Sequence, residues 1–487
     1  MDQITAVVYF NSQPYFNRLL DAFAPLPIVK KIIVISTGDK ASLPWGCEIF
    51  EGEAVTAGDA LNRISAEADT SYLLLLHGFK EIHPGPDCLN RFMEVAKTAH
   101  AGMVYSDYYE IIKGERREHP VNDYQPGSIR DEFEFGALTL FSTSAVRHAC
   151  SKFGPVATSV RAGFYDLRLK IAQEHPLFHI QECLYTIAGP EEAKKETHFA
   201  YLDSRNYSAQ KEMEEIATAY LRRTGAYLAP VFEAVPPGRH AFPLEASIII
   251  SVRNREHTIA DAVKSALSQE TDFPFNALVI DNHSSDGTTV KLSEISSRHA
   301  NLCHIIPMRH DLSTGGCWNE AVFSADCGRF AVQLDSDDLY SSPHALQKIV
   351  DLLRNGNYAM VIGSYTLVNA RLEEIPPGLI DHREWTEENG RNNALRINGL
   401  GAPRAFNTEI LRKCGFLNVG YGEDYAVALR ISREYQIGRI YENLYLCRRW
   451  EGNSDAALTV VQKNRHDAFK DKIRTLEIMA RQEINMR

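Results

Sequence analysis

The sequence predicts an α/β protein made of two similar domains, each built on a mostly parallel sheet. First, strand-sized apolar runs such as 72–76 and 247–251 alternate with stretches of helical periodicity. Second, a proline-rich stretch at 229–246 divides the chain into segments of similar length. Third, similar sequence blocks recur in the same order in both segments. The predicted boundaries are a first domain at 1–229, a linker at 230–246 and a second domain at 247–487 that includes a C-terminal helix.

The internal repeat consists of three pairs of matched blocks. "MVYSDYYEI" matches "MVIGSYTLV", "FGALTLFSTSAVRHA" matches "LGAPRAFNTEILRKC", and "YDLRLKIAQEHPLFHIQECLY" matches "YAVALRISREYQIGRIYENLY". The pairs begin at Met103 and Met360, at Phe135 and Leu400, and at Tyr165 and Tyr425. Because the order is the same in both halves, we interpret the chain as a duplication of one α/β domain.

The composition excludes several classes of protein. The 487 residues include 52 Lys plus Arg against 63 Asp plus Glu, a net charge of −11 that argues against nucleic-acid binding. The longest apolar runs are too short to span a membrane, and the first residues lack the basic region of a signal peptide. The nine cysteines are scattered without metal-ligand spacing, which favours reduced thiols. A cytoplasmic protein without a transmembrane segment is therefore expected.

Three carboxylates end one mostly apolar strand of the second domain. In "FAVQLDSDDLY" they are Asp335, Asp337 and Asp338. Crowded like charges cost stability when they are unpaired, so a positive group is expected among them. Carboxylate oxygens suit Mg²⁺ or Mn²⁺, which in turn suit a diphosphate, and a simple Asp-Ser-Asp turn is the alternative. The matching strand end of the first domain, 77–80, contains no carboxylate, which favours chemistry in the second half.

Four polar loops of the second domain should converge at one edge of its sheet, because parallel sheets bind ligands at the carboxyl ends of their strands. These loops are residues 251–256, 279–289, 311–322 and 335–338. In the second loop, Asp281 ends a strand and is suited to accept a hydrogen bond from a nucleobase. In the third loop, the Gly315-Gly316 pair permits a close backbone approach before a helix.

The ordered motifs of the second half resemble those of a known enzyme family. "ASIIISVRNREHTIADAVKSALSQ", "VIDNHSSDGTT", "GGCWNEAV", "FAVQLDSDDLY", "YGEDYAVALRIS" and "LYLCRRW" resemble, in order, the motifs of family 2 glycosyltransferases of the GT-A fold. The resemblance covers nearly all of the chain between Ala246 and Asp455. It implies a Rossmann-like GT-A domain that transfers one sugar, with inversion and with a metal ion, from a nucleotide-diphosphate sugar to an acceptor hydroxyl. The acceptor would be a glycan or a small molecule.

The same resemblance implies roles for individual residues. Asp335 and Asp337 would bind Mn²⁺ or Mg²⁺. Glu423 and Asp424 would hold the acceptor, with Asp424 as the catalytic base. For this second pair, an acid-rich first turn of a helix is the alternative. The residues implied in binding the nucleotide sugar are Arg253, Asn254, Glu256, Asp281, Asn282, Gly316, Asn319 and Asp335.

Two departures from the family pattern narrow the expected activity. Trp450 follows Arg448-Arg449 where many relatives carry His, so a histidine metal ligand is not expected there. Arg449-Trp450 resembles part of the motif of processive polysaccharide synthases, but Leu446 occupies the position of its Gln and no membrane helices follow. A transferase of single sugars is therefore expected rather than a polymerase.

A polar segment at 381–404 lies where acceptors dock in the resembling family. It mixes aromatic, arginine and asparagine side chains, which suit sugar faces and hydroxyl groups. A solvated loop is an equally weighted alternative. The candidate acceptor residues are His382, Trp385, Arg404 and Trp450.

The first domain keeps the predicted scaffold and loses the charges. Gly163-Phe164 stands where the second half has Glu423-Asp424, so we infer a degenerate GT-A-like copy that no longer binds a metal diphosphate. Near the C-terminus, a helically spaced apolar stripe predicts either a core face or a homo-oligomer contact. The stripe comprises Phe469, Ile473, Leu476 and Met479.

Two other functions stay open from the sequence. A non-catalytic sugar-nucleotide-binding or scaffold protein would keep the fold, although the retained Asp335, Asp337 and Asp424 argue against it. A nucleotidyltransferase would need a glycine-rich phosphate loop after the first strand, and "SVRNREHT" contains no glycine.

Overall fold

The computed structural model describes residues 2–10, 13–37, 47–77, 81–188, 207–238, 241–450, 452–453 and 458–487. Its internal contacts divide the chain into two compact units. The first unit is Met1–Tyr227 together with Leu458–Arg487, and the second unit is Leu228–Ala457. Residues 78–80, part of the strand end compared above, lie outside the described residues.

The described residues of the first unit form two sheets. The strands are β1 (Ile4–Tyr9), β2 (Val29–Ser36), β3 (Cys47–Glu51), β4 (Tyr72–Leu76), β5 (Glu81–Pro84), β6 (Met103–Ser106), β7 (Tyr108–Ile112), β8 (Glu115–His119), β9 (Leu138–Ser142), β10 (Leu177–Ile180) and β11 (Tyr185–Ala188). The helices up to residue 223 are α1 (Gln13–Phe23), α2 (Gly58–Glu67), α3 (Cys88–Thr98), α4 (Thr143–Phe153), α5 (Gly163–Ile171) and α6 (Tyr207–Arg223). The larger sheet has the order β10-β6-β9-β4-β1-β2-β3, and the smaller one β5-β11-β7-β8.

The described residues of the second unit form one nine-stranded sheet. Its strands are β12 (Ala246–Val252), β13 (Phe275–Asp281), β14 (Leu302–Ile305), β15 (Phe330–Gln333), β16 (Leu339–Tyr340), β17 (Tyr358–Val368), β18 (Glu374–Ile380), β19 (Arg404–Asn407) and β20 (Gln436–Arg448). Its helices are α7 (Ile259–Leu267), α8 (Thr288–Ser296), α9 (Thr314–Phe323), α10 (Ala345–Asn355), α11 (Gly390–Asn393), α12 (Thr408–Cys414) and α13 (Glu423–Ser432). The order is β14-β13-β12-β15-β19-β17-β20-β16, and β18 pairs with β17.

The two large sheets share one strand order. Taken from its other edge, the first sheet runs β3-β2-β1-β4-β9-β6-β10, which corresponds to β14-β13-β12-β15-β19-β17-β20 in the second. In both, the fifth strand is antiparallel to its neighbours and the other pairs in this series are parallel. The predicted α/β class with mostly parallel sheets is confirmed. The shared order is what a duplication would produce, and the duplication itself stays a prediction.

Buried strands of the second unit bring its polar loops to one edge. β12 pairs in parallel with β13 on one side and with β15 on the other. Its residues Ile248 and Ile250 are fully buried, as expected of a strand that is covered on both faces. β15 ends at Gln333, so Asp335 lies just beyond its carboxyl end. Because β19 is antiparallel to β15 and begins at Arg404, that arginine lies at the same edge.

The predicted linker packs as part of the second unit. The backbone N–H of Glu233 donates to the carbonyl oxygen of Glu434 at 2.9 Å. The N–H of Val235 donates to Asn357 Oδ1 at 2.7 Å. These bonds explain why the contact boundary lies at Leu228 rather than at the first residue of β12. Residues 239–240 of this stretch lie outside the described residues.

Helix α14 (Val460–Met486) belongs to the first unit, which corrects the predicted grouping with the second domain. Charges fix it there, since the buried Asp471 accepts a hydrogen bond from Arg130 Nε at 3.1 Å and from Ser128 Oγ at 2.9 Å. Of the predicted apolar stripe, Ile473 is buried, whereas Leu476 and Met479 are exposed. No helix in the described ranges combines the length and apolar composition needed to cross a bilayer.

Candidate active site

A cavity of about 640 Å³ opens at the carboxyl ends of β12, β13 and β15. All of its lining residues belong to the second unit. All four loops that were predicted to converge contribute to its wall. Three of them supply a charged or amide side chain. The fourth loop, 311–322, supplies residues 312–314 and Trp318. The polar side chains on its wall include Arg253, Arg255, Asn282, Gln333, Asp335, Asp337, Asp338, Arg404, Glu423, Asp424, Arg449 and Asn453.

Asp335 lies on the cavity wall with its carboxylate held by one neighbour. Gln333 Nε2 donates to both carboxylate oxygens of Asp335, at 3.0 and 3.1 Å. The backbone N–H of Asp335 donates to the hydroxyl oxygen of Tyr445 at 2.9 Å. The side chain is exposed to the cavity and is partly desolvated by the protein atoms around it. This desolvation, together with the nearby carboxylate of Asp337, raises the pKa of Asp335.

The two carboxylates that follow have different partners. Asp338 is buried, and its Oδ1 accepts a hydrogen bond from the backbone N–H of Arg448 at 2.7 Å. Burial and the charges of Asp335 and Asp337 raise the pKa of Asp338 well above its ordinary value. Asp337 Oδ2 instead accepts hydrogen bonds from Trp450 Nε1 and Asn453 Nδ2, both at 3.2 Å. Of the three carboxyl groups, Asp338 therefore has the environment that most disfavours the ionised form.

A positive charge was predicted among these carboxylates, and Arg404 supplies one. Its Nη2 lies 2.6 Å from Asp424 Oδ2, and its Nη1 donates to Gln333 Oε1 at 3.1 Å. Burial alone would lower the pKa of Arg404, but the carboxylates of Asp424, Asp335 and Glu423 outweigh burial and raise it. Arg255 contributes a second positive charge, with its Nε 3.7 Å from Asp337 Oδ2. Both arginines line the cavity.

Glu423 is the least compensated carboxyl group on the cavity wall. It begins helix α13 after Gly422, whose φ of 80° lies in the left-handed region that glycine adopts at low cost. Its Oε2 is buried and has no hydrogen-bond partner among the described residues. Burial and the adjacent Asp424 raise the pKa of Glu423 to about 8. Glu423 is therefore mostly protonated at neutral pH and presents an O–H group rather than a charge.

The carboxylates at this edge fit a divalent cation that is shared with a diphosphate. Within the described ranges, no group of three or more His, Cys, Asp or Glu side chains forms a complete metal site. Mg²⁺, however, is commonly held by one or two carboxylates together with substrate phosphates. Asp335 and Asp337 both line the cavity, and a cation beside them would relieve the repulsion that raises the pKa of Asp335. The donor set present therefore fits the ion.

Comparison with known proteins agrees with this geometry. The model of the family "Glycosyl transferase family 2" matches residues 247–415, which carry most of the cavity wall. This region of the chain is therefore similar to family 2 glycosyltransferases. It is 34% identical over 123 residues to the UDP-Glc:alpha-D-GlcNAc-diphosphoundecaprenol beta-1,3-glucosyltransferase WfgD of Escherichia coli. That match covers 25% of this chain and 46% of WfgD, so the chain spans less than half the length of this relative.

Solved structures give weaker likenesses to this chain. S. aureus TarS residues 1–349 in complex with UDP-GlcNAc has a TM-score of 0.38 and 22% identity, over 49% of this chain and 72% of that one. The mannosyltransferase PcManGT from Pyrobaculum calidifontis, in complex with GDP-Man and Mn²⁺, has a TM-score of 0.34 and 16% identity, over 56% and 84%. The similarity to family 2 glycosyltransferases therefore rests on the sequence matches.

Asp281 of the family 2 region does not reach the cavity wall. Its side chain is 0% exposed. One carboxylate oxygen accepts from the backbone N–H of Ser284 at 3.0 Å, and the other from Thr289 Oγ1 at 2.5 Å. These hydrogen bonds and one from His304 outweigh burial and lower the pKa of Asp281. In the described geometry Asp281 fixes the 282–285 turn, and its neighbour Asn282 lines the cavity instead.

The first and second loops are tied to each other. The backbone N–H of Asn254 donates to Ser284 Oγ at 3.0 Å, and Asn254 Oδ1 accepts from the N–H of Ser285 at 2.8 Å. Glu256 Oε2 accepts from the N–H of Gly287 at 3.0 Å. The structure therefore places Arg253 on the cavity wall, while Asn254 and Glu256 support the loops behind it.

The two predicted residues of helix α9 pack against the protein rather than the cavity. A Cβ atom on Gly316 would lie 2.3 Å from Asn418 Oδ1, so the close approach predicted there is to the 416–418 segment. Asn319 binds the same segment, since its Nδ2 donates to the carbonyl oxygen of Phe416 at 2.9 Å and its Oδ1 accepts from the Phe416 N–H at 2.9 Å. Both residues position the chain that leads into α13.

The predicted acceptor segment is neither a solvated loop nor part of the cavity wall, apart from Arg404. His382 is buried, and its Nδ1 lies 2.7 Å from Glu384 Oε1. Trp385 is only 7% exposed and packs against Gly390, where an added Cβ would lie 2.4 Å from Trp385 Cε2. Four further polar residues of the segment are buried, and they bind backbone atoms and one another. They are Arg391, Asn392, Asn393 and Arg396.

Three residues of the site were not predicted from the sequence. Gln333 bridges Asp335 and Arg404, Asn453 binds Asp337, and Arg255 lies beside Asp337. The signal for Gln333 was its position two residues before Asp335, because alternate residues of a strand share one face. Trp450 was expected at the acceptor, and the structure places it against Asp337.

Proposed function

We propose that the second unit transfers one sugar from a nucleoside-diphosphate sugar to an acceptor hydroxyl with inversion at the anomeric carbon. The observation that carries this proposal is one cavity that is lined by both the Asp335–Asp337 pair and the Glu423–Asp424 pair. Most of its wall, although not the second pair, lies in the region that matches family 2. The first pair suits a metal diphosphate and the second suits a hydroxyl group that must lose its proton.

The donor that we propose is a UDP-sugar. WfgD is named for its use of UDP-Glc, and its matched stretch covers 25% of this chain. Arg253 and Arg255 on the cavity wall supply positive charge that suits a diphosphate. The acceptor that we propose is a sugar hydroxyl, in keeping with the sugar diphosphate in the name of the same relative.

The proposed chemistry is a single displacement. Asp424 accepts the proton of the acceptor hydroxyl as that oxygen forms a bond to the anomeric carbon. The bond between the anomeric carbon and the diphosphate oxygen breaks at the same time, and the nucleoside diphosphate leaves with the electron pair. Glu423, which is mostly protonated at neutral pH, donates a hydrogen bond to a sugar or acceptor oxygen. The proton ends on Asp424, so atoms and charge balance.

A divalent ion belongs to this proposal. Asp335 and Asp337 would hold Mn²⁺ or Mg²⁺, which when bound neutralises charge on the leaving diphosphate. Trp450 Nε1 and Asn453 Nδ2 donate to Asp337 Oδ2, so they would orient this carboxylate for the ion.

The first unit, in this proposal, is a copy without catalytic chemistry. The rings of His77 and Phe164 meet edge to face at 4.7 Å, and Phe135 packs on Phe164 at 5.7 Å. Burial lowers the pKa of His77 to about 4, so this residue is neutral at pH 7. An aromatic cluster therefore occupies the strand end that corresponds to Asp335, which supports a structural role.

A thermal-shift panel with UDP, GDP, CDP and dTDP, each with and without Mn²⁺, tests the proposal on the full chain. A ligand at a hundred times its dissociation constant adds about 2.7 kcal/mol, enough to move a melting transition visibly. A metal-dependent shift with UDP that disappears in Asp337→Ala is expected. Asp272→Ala, which removes a carboxylate bound to Arg354 away from the cavity, is the matched control. The absence of a shift with every nucleotide would favour the non-catalytic scaffold.

A further inference from the structure

Arg404 and Gln333 connect the two carboxylate pairs of the cavity. Gln333 donates through Nε2 to Asp335 and accepts through Oε1 from Arg404, once from the backbone N–H at 3.2 Å and once from Nη1 at 3.1 Å. The other end of the Arg404 guanidinium, Nη2, lies 2.6 Å from Asp424 Oδ2. A continuous series of hydrogen bonds and one ion pair thus runs from Asp335 to Asp424.

The sheet register produces this connection. β15 and β19 are antiparallel, with Val332 opposite Ala405, so the next residues along the two strands are Gln333 and Arg404. Both side chains therefore project from neighbouring strands at the carboxyl edge of the sheet, where the cavity opens. Asp424 is in the first turn of α13, on a separate element. The pair on the sheet can hold a side chain on that helix in a fixed place.

We propose that Arg404 is a positioning residue for the base Asp424, and that Gln333 holds Arg404 in the orientation this requires. The inference rests on the proposed function, because it gives Asp424 the task of accepting a proton. Arginine suits this role because its planar guanidinium presents several N–H groups in fixed directions, so one side chain binds Asp424 and Gln333 together. Asp424 remains 31% exposed, which leaves it accessible from the cavity.

The environment of Arg404 differs from that of an arginine that only stabilises the fold. Arg412, by comparison, donates to the backbone carbonyl oxygens of Val322 at 2.8 Å and Ser324 at 3.0 Å. Arg404 instead binds side chains that line the cavity, and it lies near three carboxyl groups. An ion pair that is partly enclosed by protein is seldom the most stable filling of such a site, since apolar residues of similar volume often stabilise a protein as much. The arrangement is therefore better explained by the chemistry than by stability.

Turnover of the full-length variants tests the inference, with release of UDP from UDP-glucose in the presence of Mn²⁺ as the probe. Arg404→Met is expected to lower kcat about 100-fold, because a small displacement of a reacting group costs that much. The KM for UDP-glucose is expected to change less than threefold. Arg404→Lys, which keeps the charge but cannot bind both partners, is expected to recover at least fivefold of kcat over the Met variant. Gln333→Leu keeps the arginine but removes the group that orients it, and its kcat is expected to fall about tenfold. This variant tests the inference if Arg404→Met does not fold.

Arg354→Met is the matched control. Arg354 Nε donates to Glu245 Oε1 at 2.9 Å in the same unit, outside the cavity wall, so this variant is expected to melt earlier with kcat within twofold of the wild type. Equal kcat losses in Arg354→Met and Arg404→Met, or a loss in Arg404→Met that appears only in KM, would overturn the inference. If the wild type releases no nucleoside diphosphate from UDP-glucose, UDP-GlcNAc, UDP-galactose or GDP-mannose, the proposed function is wrong. The inference about Arg404 is then wrong as well, because it rests on that function.

Discussion

The guanidinium of Arg404 and the carboxylate of Asp424 form an ion pair at 2.6 Å, and this pair joins strand β19 to the first turn of helix α13. Beside it, Glu423 carries no such partner and has its pKa raised to about 8. Two adjacent carboxyl groups thereby have different environments, since Asp424 is paired with an arginine and Glu423 is mostly protonated at neutral pH. Sites that separate the states of two acids in this way usually assign them different tasks.

Replacement of each acid by its amide separates those tasks. Asp424→Asn is expected to lower turnover about 1000-fold, because an amide cannot accept the proton that a general base must take. Glu423→Gln is expected to cost less than about tenfold, since the amide also donates a hydrogen bond and also carries no charge. UDP release from UDP-glucose measures both effects, and a UDP thermal shift in each variant checks that the donor still binds. A larger loss in Glu423→Gln than in Asp424→Asn would make Glu423 the base.

The raised pKa of Glu423 also predicts a pH-dependent cost to the fold. Its pKa is about 8 in the folded chain against 4.5 in the ordinary case, so the folded state binds more protons between these values. Stability must then fall as the pH rises from 4.5 to 8. Glu423→Gln is expected to melt at the same temperature as the wild type near pH 4.5 and at least about 3 °C higher at pH 8. A difference that does not grow with pH would contradict the raised pKa.

His119 in the first unit predicts the opposite sign. Its Nδ1 lies 3.0 Å from Glu110 Oε2. Burial alone would lower its pKa, but Glu110 and Glu134 outweigh burial and raise the pKa from 6.5 to about 9. The stabilisation is therefore complete below pH 6.5 and is lost as the pH rises through 9. At pH 6, His119→Gln is expected to lose about 2 to 3 kcal/mol, and at pH 10 almost nothing.

Scanning calorimetry of the full chain at pH 6 and pH 10 measures this effect. The first unit is followed as the transition that moves in the His119→Gln variant, since two units need not melt together. His83→Gln is the control, because His83 is an exposed histidine 3.0 Å from Glu81 and surface pairs contribute little. If both variants lose the same free energy of unfolding at pH 6, the buried His119–Glu110 pair is not the cause of the loss.

The sequence was sufficient where local patterns decide the structure. β12 and β15 were predictable because buried parallel strands need short apolar runs, and Asp335 and Asp337 were placed at the sheet edge by the same pattern. The pairing of Arg404 with Asp424 was not predictable, because it depends on the register of β19 against β15 and on the start of α13. Spacing along the chain carries no information about such a contact.

Two other failures have physical reasons of the same kind. Helix α14 was grouped with the wrong unit because its apolar stripe predicts that one face is buried without identifying the core that buries it. Its position is fixed by Asp471 and Arg130, two charges that are distant in sequence. Asp281 was expected at a nucleobase because it ends a strand, whereas Ser284 and Thr289 bind both of its oxygens.

Trp385 decides whether the 381–404 segment acts through the fold or through direct contact with a ligand. Its ring is buried against Gly390, and its backbone carbonyl accepts a hydrogen bond from the Tyr441 hydroxyl at 3.2 Å. Trp385→Ala would leave a large internal cavity and is expected to cost about 3 to 5 kcal/mol. UDP should still raise the melting temperature of the variant, because Trp385 does not line the cavity.

Trp450→Phe is the matched aromatic substitution on the cavity side. It removes the Nε1–H that donates to Asp337, together with part of the ring system, and keeps a smaller aromatic ring in place. The expected result is the reverse of that for Trp385→Ala, with a melting temperature close to that of the wild type and a weaker Mn²⁺-dependent response to UDP. Thermal-shift titrations of UDP with Mn²⁺ on both variants measure the contrast. If UDP with Mn²⁺ does not raise the melting temperature of folded Trp385→Ala, the 381–404 segment takes part in ligand binding.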